Sequence, residues 1–519
     1  MITIKGVSTL SRCAAFEIQS DSYYYFSSEY TIILNGEEYG DKFNTNVFVL
    51  YGLTPSTGYT AEVLSDGEII GKVTFETAAE TCLINPVDFG AKGDGSTDDT
   101  LSLQNAIATC PMGGTVYLSK GTYYTYPLFL HSNMTLYMEK GAKLVGGTQR
   151  QRYPILSGKE NSNGRIFGTW EGELADCYSS LVTALYGENI NICGEGTIDG
   201  NASESDWWVD PKTLRTAWRP RTIFLNHCRN VNLMGFTVCN SPSWTVHPFY
   251  CNGFNVIGVT IKNPPDSPNT DGCNPESCSN VLLLGNHISV GDDCIAIKSG
   301  KYSMVEKYLQ PSYNITVRNC LLERGHGAVV VGSEASSGLK DLSISQSIWR
   351  DTDRGLRVKT RRGRGNTCLI DEITCENILM ERVLTPFVIN MFYNCDIDGH
   401  TEYVRTKASL PVDEMTPTVG KMLCKNIVCN DCHYAGAYFY GLPENPIQSV
   451  VFQNVAFSFD LNASPGMPAL LDDIEPMARK GLFAENITYL ELSDVSFENH
   501  DGDPCEINNI ANCVINPKP

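Results

Sequence analysis

The middle of the sequence reads RNVNLMGFTV at 229–238, FNVIGVTIKN at 254–263, SNVLLLGNHI at 279–288, YNITVRNCLL at 313–322 and KDLSISQSIW at 340–349. Each copy opens with a polar anchor residue and continues with apolar residues at every second position. This period of two, with many β-branched residues, predicts strands and disfavours a helical solenoid, whose apolar spacing is three to four. Strands this short cannot form separate cores, so we expect them to stack as the coils of a parallel β-helix.

The anchors set the length of one coil. Their separations are 25, 25, 34 and 27 residues, and the longer one accommodates a loop around KYSMVEKYLQP. We expect the anchor side chains to form an internal ladder, and further anchors follow at Asn377, Asn426 and Asn486. The anchors of the five copies are Asn230, Asn255, Asn280, Asn314 and Asp341.

Residues at equal distances from their anchors should lie on one side of the solenoid. Asp292 and His326 each lie 12 residues after an anchor, and Asp271 and Arg357 each lie 16 residues after one. The count therefore predicts that one side collects these four residues and Asp293. Carboxylates on neighbouring coils, whose backbones are about 4.8 Å apart, repel one another, so one of them can stay protonated as a general acid.

The separation of these carboxylates bears on mechanism. Inverting glycosidases keep their two carboxyl groups about 6.5 to 9.5 Å apart, and retaining enzymes about 5 to 5.5 Å. The sequence allows the inverting arrangement without fixing the distance. Taken alone, the adjacent pair Asp292 and Asp293 is more typical of a solvated turn or a Ca²⁺ site.

The first 80 residues differ in pattern from the rest. Alternating segments such as AAFEI, YTIIL and GKVTFET predict a small β-sandwich over residues 1–80, ahead of a β-helix domain over 81–519. The spacing of Leu53, Pro55 and Tyr59 resembles the tyrosine corner of fibronectin type III domains, in which a Tyr hydroxyl holds nearby backbone. We interpret this domain as a scaffold and not as a site.

A single helix is predicted after the sandwich, in NPVDFGAKGDGSTDDTLSLQNAIATC at 85–110. One of the residues at 96–98 can cap it, and Leu101, Ala106 and Ile107 would form its apolar side. Such a helix can close the open end of a solenoid.

Charge and cysteine content restrict the partners and the compartment. A net charge of −20 argues against nucleic acid as a partner, and no apolar run is long enough to cross a membrane. The start of the chain lacks an export signal, so we expect a cytoplasmic protein, or a secreted one if a leader has been removed. The 20 cysteines are then expected to be reduced and mostly buried. For Cys424, Cys429 and Cys432 buried packing is favoured over a metal site.

Four short motifs occur in an order that resembles glycoside hydrolase family 28, the polygalacturonase family. They are NTDGCNP at 269–275, GDDCIAIKSG at 291–300, GHG at 325–327 and RVK at 357–359. Supporting resemblance lies in the opening DFGAKGDGSTDDT and in GTIDGN, WRPRTIFL and NSPSWTVHP, so the similarity covers roughly residues 84–495. Each motif alone is weak, but four in order are specific.

The resemblance implies a right-handed parallel β-helix that hydrolyses α-1,4-galacturonosyl linkages with inversion. It implies that Asp292 is the general acid, and that Asp271 and Asp293 position and activate the attacking water. His326 would tune the acid and its hydrogen bonds. No metal or other cofactor is required by this mechanism.

Substrate binding is expected from four residues: Asn269, Arg357, Lys359 and Tyr393. The alternate positions of Arg357 and Lys359 direct both side chains to one face, where they can hold a galacturonate carboxylate. Asn269 orients Asp271, binds a sugar or simply forms a turn, and Tyr393 supplies an aromatic hydroxyl as a late Tyr does in the family. Three more arginines follow in TRRGRG, and this cationic cluster on an acidic protein favours an acidic polysaccharide or oligogalacturonide as the substrate.

Other functions remain open at this level. A rhamnogalacturonan or xylogalacturonan hydrolase, a Ca²⁺-dependent pectate lyase and a non-catalytic carbohydrate-binding β-helix share the architecture. An inserted Trp-rich segment around Trp207, Trp208 and Trp218 either walls one end of the cleft or packs in the interior. Together with the preceding sandwich and the missing export signal, this segment favours exo action on oligogalacturonides. The sequence carries no sign of oligomeric state.

Overall fold

The computed structural model describes residues 2–516, and its first seven strands form a β-sandwich. One antiparallel sheet has the order β1-β2-β5 and the other β4-β3-β6-β7. The hydroxyl of Tyr59 accepts a hydrogen bond of 2.9 Å from the backbone N–H of Thr54, as expected of a tyrosine corner. The fibronectin type III resemblance itself stays a prediction. The strands are β1 Thr3–Thr9, β2 Ala14–Gln19, β3 Tyr25–Leu34, β4 Glu37–Thr45, β5 Val47–Leu50, β6 Gly58–Ser65 and β7 Glu68–Glu76.

The rest of the chain is the predicted right-handed parallel β-helix, in which each coil contributes to three sheets. The first sheet contains Leu83–Ile84, Gly114–Leu118, Met134–Met138, Glu188–Gly194, Arg229–Met234, Asn252–Ile257, Ser279–Leu284, Ser312–Arg318 and Thr418–Val419. The second sheet contains Asp94–Asp98, Gly121–Thr125, Ala142–Gly146, Thr197–Asp199, Thr237–Cys239, Thr260–Lys262, His287–Ser289 and Leu321–Glu323.

The third sheet forms the floor of the cleft described below. It contains Leu128–Leu130, Val182–Leu185, Ile223–Asn226, Val246–Phe249, Ile295–Ile297, Val329–Val331, Arg354–Lys359, Thr385–Asn390 and Ala435–Tyr440. Longer strands turn a corner from one sheet into the next, and these are Leu339–Arg350, Leu369–Glu381, Lys421–Cys432, Ile447–Phe459, Lys480–Glu498 and Cys505–Asn516.

Inward-facing residues of successive coils lie directly over one another and form one continuous core. Apolar side chains at every second position meet inside the solenoid, so each coil is stabilised by its neighbours. One such column consists of Val231, Phe254, Val281, Ile315 and Leu342, each paired with the next.

The anchor residues form a ladder, but it lies on the surface, so the prediction of an internal ladder is wrong. Asn230, Asn280 and Asn314 are exposed and have positive φ of 52°, 55° and 54°. The amide of Asn314 donates to Asn280 at 2.6 Å. Asn tolerates the left-handed backbone that this corner requires, which explains why the pattern recurs. Asn255 is out of phase, because it pairs with Asn232.

The predicted helix spans Thr100–Thr109 and closes the N-terminal end of the solenoid. Leu103, Ala106 and Ile107 are buried in the core, but Leu101 is 73% exposed, so its placement on the apolar side is wrong. At about 100° per residue, Leu101 lies about 200° around the helix from Leu103 and therefore faces the solvent. The other helices are Tyr302–Tyr308 and Glu402–Arg405, with short 3-10 turns at Pro86–Phe89, Arg150–Arg152, Ala202–Glu204 and Ile397–His400.

The sandwich packs along the side of the solenoid. Its Val47 and Val49 share an apolar cluster with Met234, Ile257 and Leu284, which lie on three successive coils. Further along the same side, buried Glu17 accepts hydrogen bonds from Arg318 at 2.5 Å and from Asn319 at 2.7 Å.

Most cysteines are buried, as predicted, and Cys424, Cys429 and Cys432 lie in the solenoid core. Within residues 2–516, no helix combines the length and apolarity needed to cross a membrane.

Candidate active site

Three aspartates meet where the loops enter the third sheet. Asp271 and Asp293 precede paired segments of neighbouring coils, because Cys273 pairs with Ile295, and Asp292 is adjacent in the chain. One oxygen from each carboxylate lies within 4.8 Å of one from each of the others. The Nδ1 atom of His326 is 3.6 Å from Asp292 Oδ1.

The five residues predicted to share one side of the solenoid do so, although one part of the count was wrong. Asp292 and His326 are level with each other, as the count of 12 predicted. Asp271 and Arg357 are not level, because Arg357 pairs with Val330. The error follows from the turn between Lys262 and Cys273, which is longer than the equivalent turn between Ser289 and Ile295 on the next coil. Arg357 nevertheless reaches the group through its long side chain.

Two buried cations hold Asp293 in its ionised form. Lys359 Nζ lies 2.9 Å from Asp293 Oδ2, and Arg357 Nη1 lies 3.6 Å from Oδ1. Burial raises the pKa of Asp293, but Lys359 and Arg357 outweigh burial, and the pKa falls below its ordinary value. Both cations were predicted to bind a substrate carboxylate, and in this arrangement their charge is shared with Asp293.

The other two carboxyl groups are shifted the opposite way. Burial, reinforced by the charge of Asp292, raises the pKa of Asp271 well above its ordinary range. Burial and the charge of Asp293 raise the pKa of Asp292. The three groups therefore share at least one proton in the acidic range while Asp293 is ionised. Asp292 has a side chain 26% exposed, whereas Asp271 is 3% exposed, so Asp292 is the member that a bound ligand can reach.

The separation of the carboxylates is shorter than the range typical of inverting enzymes. The nearest oxygens lie within 4.8 Å, against about 6.5 to 9.5 Å between carboxyl groups in that class. A water can still bind two oxygens at this spacing, because it lies off the line between them at about 2.8 Å from each. The distance alone therefore does not assign the stereochemistry.

A metal ion is the alternative use of three converging carboxylates. Ca²⁺ needs about six to eight oxygen ligands and no competing cation. Here Lys359 already contacts Asp293, and Lys298 lies next to Asp271, with its ammonium 4.6 Å from the ring centre of Trp244. The group is thus neutralised by protein cations, and its donor set fits acid–base chemistry better than Ca²⁺.

The remaining predicted residues also line the cavity. Asn269 accepts a hydrogen bond of 2.5 Å from Arg219 and borders the cleft. The ring of Tyr393 lies beside the two cations, with Lys359 Nζ 5.4 Å and Arg357 Cζ 5.8 Å from its centre.

The arginines after the RVK motif are not free to bind a ligand. Arg361 pairs with Asp396 and Asp398, Arg362 with Glu444, and Arg364 with Asp396. Each guanidinium is buried, so these pairs fix the loops around the cleft. The predicted cationic cluster is therefore largely neutralised within the protein.

Several cleft residues were missed because they lie outside any motif or repeat. Glu171 and Asp396 come from loops without periodicity, and Lys298 and Glu334 form a buried ion pair of 2.8 Å. Six carboxylates and two ammonium groups line the cavity around the Asp trio: Glu171, Asp271, Asp292, Asp293, Glu334, Asp396, Lys298 and Lys359.

The cleft continues outward from the trio into a cavity of about 740 Å³. Trp218 lines it, whereas Trp207 is buried, so the Trp-rich segment both walls the cleft and packs in the interior. Trp170, from a different loop, stacks on Trp218 with ring centres 4.9 Å apart.

Loops cover the third sheet on both sides of the trio. Toward the N-terminus, Asn226 donates to the carbonyls of Ile166 and Phe167 in the 150–178 loop. Toward the C-terminus, Asn390 donates to the carbonyl of Leu470 at 2.7 Å. These loops flank the trio on both sides along the solenoid axis.

Carboxylates with separated pKa values in a cleft of this size, on a parallel β-helix, define a glycoside hydrolase. The profile "Glycosyl hydrolases family 28" matches residues 164–439, and the chain belongs to this family, that of the polygalacturonases. A second profile, "Rhamnogalacturonase A/epimerase, pectate lyase-like", matches residues 83–165.

Named relatives include enzymes of both modes of attack. A probable polygalacturonase of Vitis vinifera is 28% identical, over 75% of this chain and 77% of its own length. An endo-polygalacturonase of Pectobacterium carotovorum subsp. carotovorum is 30% identical, over 58% of this chain and 74% of its own. An exo-poly-alpha-D-galacturonosidase of Dickeya chrysanthemi is 26% identical, over 73% and 67%.

Solved structures share the fold. The family 28 exopolygalacturonase of Yersinia enterocolitica superposes with a TM-score of 0.70 at 20% identity, over 100% of this chain and 98% of the other. The exopolygalacturonase of Thermotoga maritima gives 0.65 at 23% identity, over 80% and 91%.

Proposed function

We propose that this protein hydrolyses α-1,4-galacturonosyl linkages with inversion and removes sugars from the ends of oligogalacturonides. The observation that carries the proposal is the Asp trio, which combines one ionised carboxylate with two of raised pKa at the floor of the cleft. The family's polygalacturonases support the substrate class.

Asp292 is the proposed acid because it is the most accessible of the three and carries a raised pKa. It transfers its proton to the glycosidic oxygen as the bond to the anomeric carbon breaks. A water held by Asp271 and Asp293 attacks that carbon from the opposite face and releases its proton to them. His326, 3.6 Å from Asp292, interacts with the acid and can assist its reprotonation.

The loops that flank the trio support the exo mode. An endo enzyme needs a groove through which a long chain can pass, whereas loops cover the third sheet on both sides of the trio here. Exo-acting relatives are known in the family, and this chain is similar to one of them along most of its length.

A chromatographic time course on polygalacturonate and on oligogalacturonides tests the proposal. We expect small products from the first minutes, with no large intermediates. Proton NMR of the first product should show the anomer opposite to that of the cleaved bond. Asp292→Asn should lower kcat by about 10²- to 10⁴-fold without changing the circular dichroism spectrum.

Other outcomes would correct the assignment. Early large fragments would refute exo action, and the retained anomer would refute inversion. An unsaturated, ultraviolet-absorbing product that EDTA abolishes would indicate a lyase. Turnover of rhamnogalacturonan or xylogalacturonan in preference to polygalacturonate would change the substrate.

A further inference from the structure

A short hairpin projects into the cleft. The strand pair Thr169–Trp170 and Glu173–Leu174 is joined by only Glu171 and Gly172. Both linking residues have positive φ, 44° and 80°, which defines a type I′ turn. Gly, Asn and Asp are the residues such turns favour, so a Glu at the first position is unusual. An unfavourable residue in a strained position is often retained for function.

The hairpin is held rigidly in place. Trp170 stacks on Trp218, and its ring is also parallel to that of Trp244 at 6.5 Å. At the tip, the carbonyl of Gly172 accepts a hydrogen bond of 2.8 Å from the N–H of Lys301. A Cβ on Gly172 would lie 2.9 Å from that nitrogen, so the close contact requires glycine.

The carboxyl group of Glu171 is the feature that points to a ligand. It borders both the cavity of the Asp trio and the larger outer cavity. Within residues 2–516 it has no hydrogen bond and no ion pair within 4.0 Å, although it is half-buried. Burial, and then the charge of Glu334, raise the pKa of Glu171. The other acids of the outer cavity differ, because Asp396 and Asp398 are paired with Arg361, and Glu173 lies 4.0 Å from Lys301.

A partnerless carboxyl group in the cleft of an enzyme for acidic sugars cannot face a uronate carboxylate, since like charges repel. It can accept hydrogen bonds from sugar hydroxyls. In the proposed exo action the bound chain ends inside the cleft, and a chain end carries a free hydroxyl that interior sugars lack.

We propose that Glu171 is a specificity-determining residue that binds the free hydroxyl of the chain-terminal sugar. The inference rests on the proposed function and deepens it, because it assigns exo action to one side chain. The hairpin fixes the position of Glu171, and Glu171 supplies the recognition.

The test compares three oligogalacturonides of one length. The first is unmodified, the second has a 4,5-unsaturated non-reducing sugar without the O4 hydroxyl, and the third is reduced to the alditol at its other end. We expect the wild type to lose about 10- to 100-fold in kcat/KM on one of the modified substrates, the typical effect of losing a hydrogen bond to a charged group. The sensitive substrate identifies which chain end is bound.

The variant Glu171→Ala should lose about the same factor on the unmodified substrate and change less than about threefold on the sensitive one. The preference for the intact chain end should therefore disappear. Glu171→Gln, which keeps the shape, should show a smaller loss of the same preference and serves if the Ala variant does not fold. Glu372→Ala is the matched control, because Glu372 also has positive φ, 55°, but is exposed at a corner of the solenoid.

Equal losses on all three substrates, or an unchanged preference in the folded variants, would overturn the inference and leave the proposed function standing. A wild type that cleaves none of the three would overturn both.

Discussion

Replacing Lys359 by Met removes from the Asp trio the cation that lies 2.9 Å from Asp293. Lys359 Nζ is 2.9 Å from Asp293, and both side chains are at most 7% exposed. At an effective dielectric constant of about 20, two unit charges at that distance attract by about 6 kcal/mol. Removing one partner of a buried pair typically costs about 3 to 5 kcal/mol, and Arg357 remains as a second cation.

The pH dependence of kcat/KM reports this loss. Lys359 lowers the pKa of both Asp292 and Asp293, so its removal raises the pKa of the proposed acid and of the proposed base together. Both limbs of the profile should therefore move to higher pH, by about 2 units if each unit corresponds to about 1.4 kcal/mol. Lys359→Arg keeps the charge and should leave the limbs in place.

Lys359→Met should also lower the stability of the fold. The depressed pKa of Asp293 contributes stability above the pKa of the unfolded chain, and this contribution is lost as pH falls through the folded pKa. The difference in Tm between wild type and Lys359→Met should thus be largest near neutral pH and shrink in acid. Unshifted limbs with a raised KM would refute the reasoning and restrict Lys359 to binding the substrate carboxylate.

Three further predictions concern the scaffold. Leu103→Ala should lower the free energy of unfolding by about 2 to 4 kcal/mol. Leu101 is 73% exposed, so Leu101→Ala should change the free energy of unfolding by less than about 0.5 kcal/mol. Equal effects of the two variants in urea unfolding would contradict the observed helix orientation. Asn280→Ala should lower the free energy of unfolding by about 1 to 2 kcal/mol, and Asn280→Gly should lower it less, because Asn280 has a left-handed backbone conformation. An Ala variant as stable as the Gly variant would argue against a left-handed conformation at this corner. Glu17→Ala should make the 77–82 linker more sensitive to protease without altering kcat, because Glu17 links the sandwich to Arg318 and Asn319 by hydrogen bonds. An unchanged rate of cleavage would show that these hydrogen bonds are dispensable.

Most of the fold could be predicted from the sequence repeat. Alternating apolar residues after a polar anchor predict strands that stack, and the observed columns follow that rule. The pattern did not show why a polar residue recurs at the anchor position. Asn is equally compatible with an internal ladder and with a left-handed corner, and only the path of the chain distinguishes them. Asn255 was wrongly counted as an anchor for this reason, because it lies two positions beyond the residue that is level with Asn230.

The site residues that could be predicted are those of a chemically informative type that stand in a short motif. Asp271, Asp292, Asp293 and His326 stand in short motifs, and stacking of the coils brings those motifs together. Loop residues give no such signal, and Glu171 reaches the cleft only because its hairpin folds over the third sheet. The pairing of Lys359 with Asp293 was likewise hidden, because the sequence shows a cation's position without its partner.

The docked sandwich has a consequence for how the solenoid opens. In a stack of coils each rung contacts only its neighbours, so single rungs can fray independently. The sandwich contacts Met234, Ile257, Leu284 and Arg318 on consecutive rungs, and opening any of them disturbs a shared interface. These rungs should therefore exchange their amide protons as one cooperative unit. Because the Asp trio is carried by the same coils, we expect the small N-terminal domain to prolong the lifetime of the trio's geometry without touching it.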